Sequence, residues 1–405
     1  MFRSVFVSPT LLLALVIGCG PATPEAAPHR AALADDQPRR RSVERDRFDR
    51  LYVAWRTIVG QLCDLDVQYQ TAATQDREQL KRRFERLLAE GAQSQQQIVQ
   101  AAAVAYAQDP DRNADLAALL TQVVYLLVDQ EEYEEALQIA QTLIDGGIQQ
   151  HDLYTLAGIS AFVTAELNLA ESHWRRAAEE QKLHGVAARY WGDISYYKAA
   201  WEKEKKLRTA EMLAADLPRV LLKTSQGEIE LELFQNEAPN TVTNFLWLVE
   251  QGFYNGLAFH RVMPRCLAES GCPQGDGMGD PGYTIPNESF RKDHRLHFRG
   301  SLAMARAGRD SNGSQFYLTF VPIRRRDGSC TVFGRMVRGI DVLAKLQRRE
   351  PPDLVSKKLN PYAADLTPPA DTIIEAKVLR SSPVLLKQKV YPVPQADQVP
   401  RFAQP

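Results

Sequence analysis

Cysteine is scarce in this chain: five in 405 residues, at positions 19, 63, 266, 272 and 330. Their number and scatter exclude a disulfide-stapled scaffold, and no pair of CxxC elements is present to build a zinc site. Net charge is scarce too. The formal balance of −1 gives no overall pull toward nucleic acid or an anionic membrane. Nor is there a long apolar run, since the stretch from Val5 to Ile17 is too short for a comfortable bilayer span. What remains is an ordinary globular composition, 44% hydrophobic and 24% charged, in a chain long enough for two or three domains.

The short apolar run follows Met1-Phe2-Arg3, a positive start, and reads as an export signal. It ends Val16-Ile17-Gly18-Cys19, which resembles the lipobox of bacterial lipoproteins, where the cysteine is lipidated after cleavage. The expectation is a signal peptide over residues 1–18, a lipid anchor on Cys19, and a place in the bacterial cell envelope facing the periplasm. Several acyl chains hold firmly, because each buried methylene contributes about 0.8 kcal/mol. An ordinary secretory signal with Cys19 incidental is the alternative. Residues 19–42 are rich in Pro, Ala and Arg without apolar periodicity and read as a disordered tether.

From 43 to 217 the pattern is helical. Phe48, Leu51, Trp55, Ile58, Val59 and Leu62 recur at three- and four-residue spacing, one apolar stripe, with Cys63 bordering it as a small core residue. Leu80, Phe84, Leu87 and Leu88 repeat the pattern, and Gly91 is its expected stop. A repeat of 34 residues follows: the segment Tyr133 to Ala140 recurs as Leu167 to Trp174, with Ala136 matching Ala170. Gly158 stands where tetratricopeptide repeats carry a small residue in their first helix. Residues 113–180 are therefore expected to form two helical hairpins similar to such repeats, capped by flanking helices. That surface either binds a protein partner or serves as a spacer. A last helix, over about 188–215, carries Glu202-Lys203-Glu204-Lys205-Lys206 and reads as a solvated rod linking to the next domain.

After Leu217-Pro218 the period changes to two. Ile229, Leu231 and Leu233 alternate with Glu230 and Glu232, a strand with one wet face. A helix through Phe245 to Val249, stopped by Gly252, is followed by further strands and a second helix over 340–346. A Pro-rich excursion over 350–371 precedes a closing strand over 373–379. These elements fit an antiparallel β-barrel plugged by two helices, followed by a Pro-rich tail, 381–405, that reads as poorly ordered.

Within that region stand Pro239-Asn240-Thr241-Val242-Thr243-Asn244-Phe245, Phe253-Tyr254-Asn255-Gly256, Phe259-His260-Arg261-Val262, Gly313-Ser314-Gln315-Phe316 and Val332-Phe333-Gly334. Their order and spacing resemble the cyclophilins, and the resemblance covers about residues 219–380. It implies a cyclophilin-like antiparallel β-barrel with two capping helices and peptidyl-prolyl cis/trans isomerase activity. Turning a prolyl peptide bond crosses a barrier of about 18–20 kcal/mol, because the twist destroys amide resonance. The catalyst needs to grip the proline, hold the backbone and offer a donor to the twisted amide; no nucleophile, metal or other cofactor is implied. By resemblance Arg261 is that donor and Gln315 hydrogen-bonds substrate backbone. Tyr317 floors the proline pocket and Ala305 lets the peptide lie close. His260 is expected on the opposite face of the strand from Arg261 and is given no proton to move.

Several pocket positions depart from the family. Cys266, Leu267 and Glu269 stand where it commonly has phenylalanine, methionine and glutamine. Arg325, Arg326 and Cys330 replace an aromatic residue or histidine, a leucine and a histidine, around a retained Asp327-Gly328. Losing most of a buried aromatic side chain forfeits on the order of 1.5–3 kcal/mol, so proline affinity is expected to fall. Arg265, Arg306, Arg309 and Arg324 to Arg326 approach the mouth, as a solvated rim or, alternatively, as a selector of acidic peptides. Cys266 and Cys330 line the same pocket by resemblance, with Cys272 nearby. Unpaired thiols filling space are the preferred reading and a Cys266–Cys330 bridge the alternative. The resulting expectation is a slow isomerase acting on proline-containing exported polypeptides, with no nucleic-acid partner. A degenerate peptide-binding module, or a helical-repeat scaffold without useful turnover, is the alternative.

Overall fold

The computed structural model describes residues 42–306, 308, 310–350, 368–381 and 389–392. The export signal, Cys19, nearly all of the tether, Arg309, most of the 350–371 excursion and most of the tail lie outside the described residues. Two compact units are present, the first made of residues up to Gly192 apart from Val163–Ala165, the second running from Asp193.

The first unit is helical: α1 (Val43–Thr71), α2 (Thr74–Gln108), α3 (Ala114–Asp129), α4 (Tyr133–Asp145), α5 (His151–Val163), α6 (Leu167–Glu180) and the start of α7 (Gly185–Ala214). The Ser42 hydroxyl accepts the Arg45 N–H at 3.1 Å and caps α1. Leu62 and Leu65 of α1 pack with Phe84 and Leu87 of α2. Cys63, one step of 100° round the helix from Leu62, is exposed rather than part of this core. Gly91 does not stop its helix either. It is buried mid-way along α2, on the face that also buries Phe84, Leu87 and Ile98, where close packing outweighs its poor helix propensity of about 1 kcal/mol.

The 34-residue repeat marks helix starts, since Tyr133 opens α4 and Leu167 opens α6. Trp174 is fully buried, and a Cβ on Gly158 would collide with its indole. The small residue is therefore required by the packing of α6 on α5.

In the second unit, β1 (Arg219–Thr224), β2 (Gly227–Leu233), α8 (Pro239–Glu250), β3 (Arg261–Met263), β4 (Leu267–Ser270), β5 (Tyr283–Thr284), β6 (Ser301–Met304), β7 (Phe316–Thr319), β8 (Val332–Arg338), α9 (Val342–Lys345), β9 (Ile373–Arg380) and β10 (Tyr391–Pro392) follow in chain order. Eight strands form one antiparallel sheet in the order β3-β4-β7-β6-β8-β2-β1-β9. It curls until its two edges approach, where Ala258, before β3, bridges Thr372, before β9. Ile229, Leu231 and Leu233 of β2 point inward as their alternation requires. Phe245 of α8 lies edge-on to Phe316 and Phe333, with ring centroids 5.5 and 5.2 Å away. Gly252 ends α8 in the left-handed region, φ +67°.

The solvated-rod expectation for α7 holds for Lys203, Lys205 and Lys206, which are exposed, and fails for Glu204, which is buried. Arg295 grips Glu204 with two bonds of 2.9 and 3.1 Å, and Arg335 binds Glu211 at 2.6 Å. From Asp193 onward this helix belongs to the second unit. Glu232, expected on the wet face of β2, is buried too, 2.5 Å from Arg335.

Candidate active site

Antiparallel register brings the site residues into line. Arg261 on β3 pairs with Glu269 on β4, Glu269 with Tyr317 on β7, and Tyr317 with Ala303 on β6. Directly paired residues share a face, so one row of side chains crosses four strands. Leu267, two residues from Glu269 on β4, extends the same face, and Ala305 follows the last residue of β6. The Ala305 N–H donates to the Gln315 carbonyl at 3.0 Å, which fixes the backbone at the end of this row.

Arg261 is about one-third exposed, with Nη1 3.7 Å from Glu269 Oε2 and Nη2 3.2 Å from Glu350 Oε1. Glu269 is buried, and desolvation raises its carboxyl pKa above the ordinary value, partly offset by Arg261 and Arg326. His260 does not turn away from this pair as the sequence suggested. It precedes the first residue of β3, so strict alternation does not apply, and its Nε2 comes within 4.0 Å of Glu269 Oε2. Burial, with Arg261 adding to it, lowers its pKa to about 4, so the ring is neutral at pH 7.

The Gln315 amide nitrogen donates to the carbonyls of Gly277 and Gly279, at 3.0 and 2.7 Å. It thereby holds the loop after β4 and keeps an amide oxygen that can accept a hydrogen bond. Tyr317 is fully buried; the Arg326 guanidinium lies 4.8 Å from its ring centroid. Leu267 is also fully buried, whereas Cys266 is half-buried with Arg325 Nη2 3.8 Å from its sulfur. Cys330 is buried beside Ser329. Cys266, Cys272 and Cys330 are free thiols, so no bridge joins Cys266 to Cys330. Cys272 instead accepts the Gly279 N–H at 3.2 Å.

Sequence reasoning missed His297. It is fully buried and joins Asp327, through Nδ1 at 2.8 Å, to the Tyr317 hydroxyl, through Nε2 at 2.8 Å. Only the retained Asp327-Gly328 hinted at it. A lone histidine thirty residues from its partner carries no spacing signal.

Residues 219–376 match the family described as Cyclophilin type peptidyl-prolyl cis-trans isomerase/CLD. A Helicobacter pylori peptidyl-prolyl cis-trans isomerase is 44% identical over 147 residues, which span 35% of this chain and 90% of the relative. Bacillus subtilis peptidyl-prolyl cis-trans isomerase B is 46% identical over 115 residues, 28% of this chain and 80% of the relative. A Cryptosporidium parvum cyclophilin crystallised in the presence of the dipeptide Ala-Pro aligns over 40% of this chain and 99% of its own, at 24% identity and a TM-score of 0.35. The chain belongs to the cyclophilin-type peptidyl-prolyl cis-trans isomerases.

Proposed function

We propose that the second unit isomerises prolyl bonds in exported polypeptides, slowly, from a lipid-anchored position in the bacterial envelope. The observation that carries the catalytic part is the cross-strand row Arg261–Glu269–Tyr317, which sets a permanent cation beside the pocket floor. Tyr317 and Leu267 are fully buried and Arg326 covers the Tyr317 ring, so the substrate proline sits on them once Arg326 swings aside, while the Gln315 amide oxygen accepts a substrate backbone N–H. Arg261 donates to the prolyl nitrogen or the displaced carbonyl as the amide twists and its resonance is lost. No covalent bond is made or broken. Slowness follows from Cys266, which gives the proline little wall, and from Glu269, which competes for Arg261. A protease-coupled isomerisation assay on the full chain tests this. Arg261→Ala should lower the rate by about 10²–10³-fold, the scale of losing one preorganised donor. Wild-type protein no faster than the uncatalysed reaction would overturn it.

A second reading, a peptide-binding module without useful turnover, is favoured by the position of Arg326 over the Tyr317 ring, where a proline would stack. It requires peptide binding without turnover in the same assay. The anchor rests on the Cys19 lipobox, and Cys19→Ser should lose membrane association after a high-salt wash. The paired helices α3–α6, with the Gly158–Trp174 contact, support a tetratricopeptide-like surface for a protein partner.

A further inference from the structure

The region matching the family begins at residue 219, yet a side chain from α7 reaches toward the pocket. The Tyr196 hydroxyl donates to Asp327 Oδ2 at 3.0 Å. The other oxygen of the same carboxylate, Oδ1, accepts both the backbone N–H and the Nδ1–H of His297, each at 2.8 Å. His297 Nε2 lies 2.8 Å from the Tyr317 hydroxyl, and the two rings are nearly parallel, 8° apart.

One tautomer of His297 gives every bond in this chain a donor and an acceptor. The backbone N–H of His297 donates to Asp327 Oδ1, and with Nδ1 at 2.8 Å from that same oxygen the Asp327-facing nitrogen is the one assigned the proton. Burial disfavours the imidazolium and holds the pKa of His297 below its ordinary value, with Asp327 opposing. The neutral ring therefore offers a lone pair at Nε2, and the Tyr317 hydroxyl must donate to it. Burial raises the Tyr317 pKa well above its usual value, which keeps that proton in place.

α7 also grips both segments that carry the chain. The Tyr197 hydroxyl accepts the Arg324 N–H at 3.0 Å, the Arg324 guanidinium lies 4.2 Å from the Tyr196 ring centroid, and Arg324 pairs with Asp193. Trp201 packs edge-on against Phe298, the neighbour of His297, at 4.9 Å. Lower on the helix, Glu204 pairs with Arg295 and Glu211 with Arg335.

We propose that Tyr196 is a positioning residue for the prolyl pocket, acting through Asp327 and His297 to fix the orientation of Tyr317. The proposal rests on the isomerase reading for its kinetic consequence. The helix ahead of the family region is thereby part of the working site. Arg261, which faces the twisting amide, is not in this chain of bonds. Loss of the Tyr196 hydroxyl loosens the pocket floor and leaves the donor untouched.

In the full chain, Tyr196→Phe should raise KM for a proline peptide by about tenfold, the scale of one hydrogen bond to a carboxylate, with kcat within about twofold. Arg208→Ala, which removes an α7 partner of Glu204 outside the chain of bonds, should lower Tm and leave KM unchanged. Tyr196→Phe added to Tyr317→Phe should have no further effect on KM. An unchanged KM in Tyr196→Phe, an equal rise in Arg208→Ala, or full additivity with Tyr317→Phe would each overturn the proposal. The ring nitrogens of His297 and the ring protons of Tyr317 give an NMR readout independent of turnover. His297 should show the Nδ1–H tautomer, and the Tyr317 signals should move in Tyr196→Phe but not in Arg208→Ala. An Nε2–H tautomer, or unmoved Tyr317 signals, counts against the proposal even in a protein without activity. Inactive wild type with the expected NMR shifts would instead remove the isomerase reading alone.

Discussion

Arg261 and Glu269 face each other across the β3–β4 pair, guanidinium to carboxylate at 3.7 Å, with Glu269 almost wholly out of water. A negative charge this close weakens the field that Arg261 presents to a twisting amide. Two unit charges near 4 Å interact by about 1 kcal/mol even at the dielectric of water. Glu269→Gln should therefore raise kcat/KM by about fivefold at neutral pH. Burial raises the Glu269 pKa, so wild-type activity should climb as pH falls and the carboxylate takes up a proton. Glu269→Gln should lack that rise. A loss of activity in Glu269→Gln would show that the ion pair orients the arginine instead of competing for it.

The pocket wall offers a second test, and the structure separates two positions that the sequence treats alike. Cys266 is half-buried and has room on its exposed side, whereas Cys330 is buried. Cys266→Phe should lower KM for proline peptides by about fivefold, part of the 1.5–3 kcal/mol available from burying an aromatic side chain. Cys330→His should instead lower stability by about 1–3 kcal/mol, the cost of overpacking a filled site. Urea denaturation and substrate titration of the two variants read these effects separately.

The placement of Arg261 and Tyr317 on strands was legible in the sequence because each lies in a short contiguous block whose strand register then fixes its direction, and Gln315 falls one residue before β7. His297 was not legible, because its partners stand at 317 and 327 and meet it only through folding. The α7 buttress was hidden for another reason. An alternation of Lys and Glu looks the same whether the acids face water or buried arginines, and only Arg295 and Arg335 decide the matter for Glu204 and Glu211. Gly91 and Cys63 misled because a glycine and a stripe-edge cysteine take their meaning from the opposing helix, which local spacing does not contain.

The buried ion cluster is expected to be fragile to single truncations. Arg295, whose side chain is 2% exposed, holds Glu204 at 2.9 Å and Glu237 at 3.2 Å and also contacts Glu211. Arg295→Ala leaves those carboxylates without their cation and should destabilise the second unit by about 3–5 kcal/mol. For a unit of about two hundred residues that lowers Tm by roughly 10 °C. Scanning calorimetry on the full chain should show the transition of the second unit falling while that of the first stays in place. A fall of less than about 2 °C would mean that water already reaches the cluster.

His260 should make the second unit sensitive to mild acid. Burial, reinforced by Arg261, lowers its pKa to about 4, against about 6.5 in an unfolded chain. The native state therefore binds the imidazole proton less readily than the unfolded state does. Its contribution to stability is fully present above about pH 6.5 and is lost progressively as pH falls toward 4, by up to a few kcal/mol. Glu269, whose raised pKa favours the protonated form in the fold, works in the opposite direction over the lower part of that range. His260→Gln removes the first effect and keeps the second. Between pH 6.5 and 4 the variant should lose less stability than wild type in urea titrations followed at each pH. Equal slopes for the two proteins would place the His260 ring in contact with water and cancel the cause assigned to its pKa.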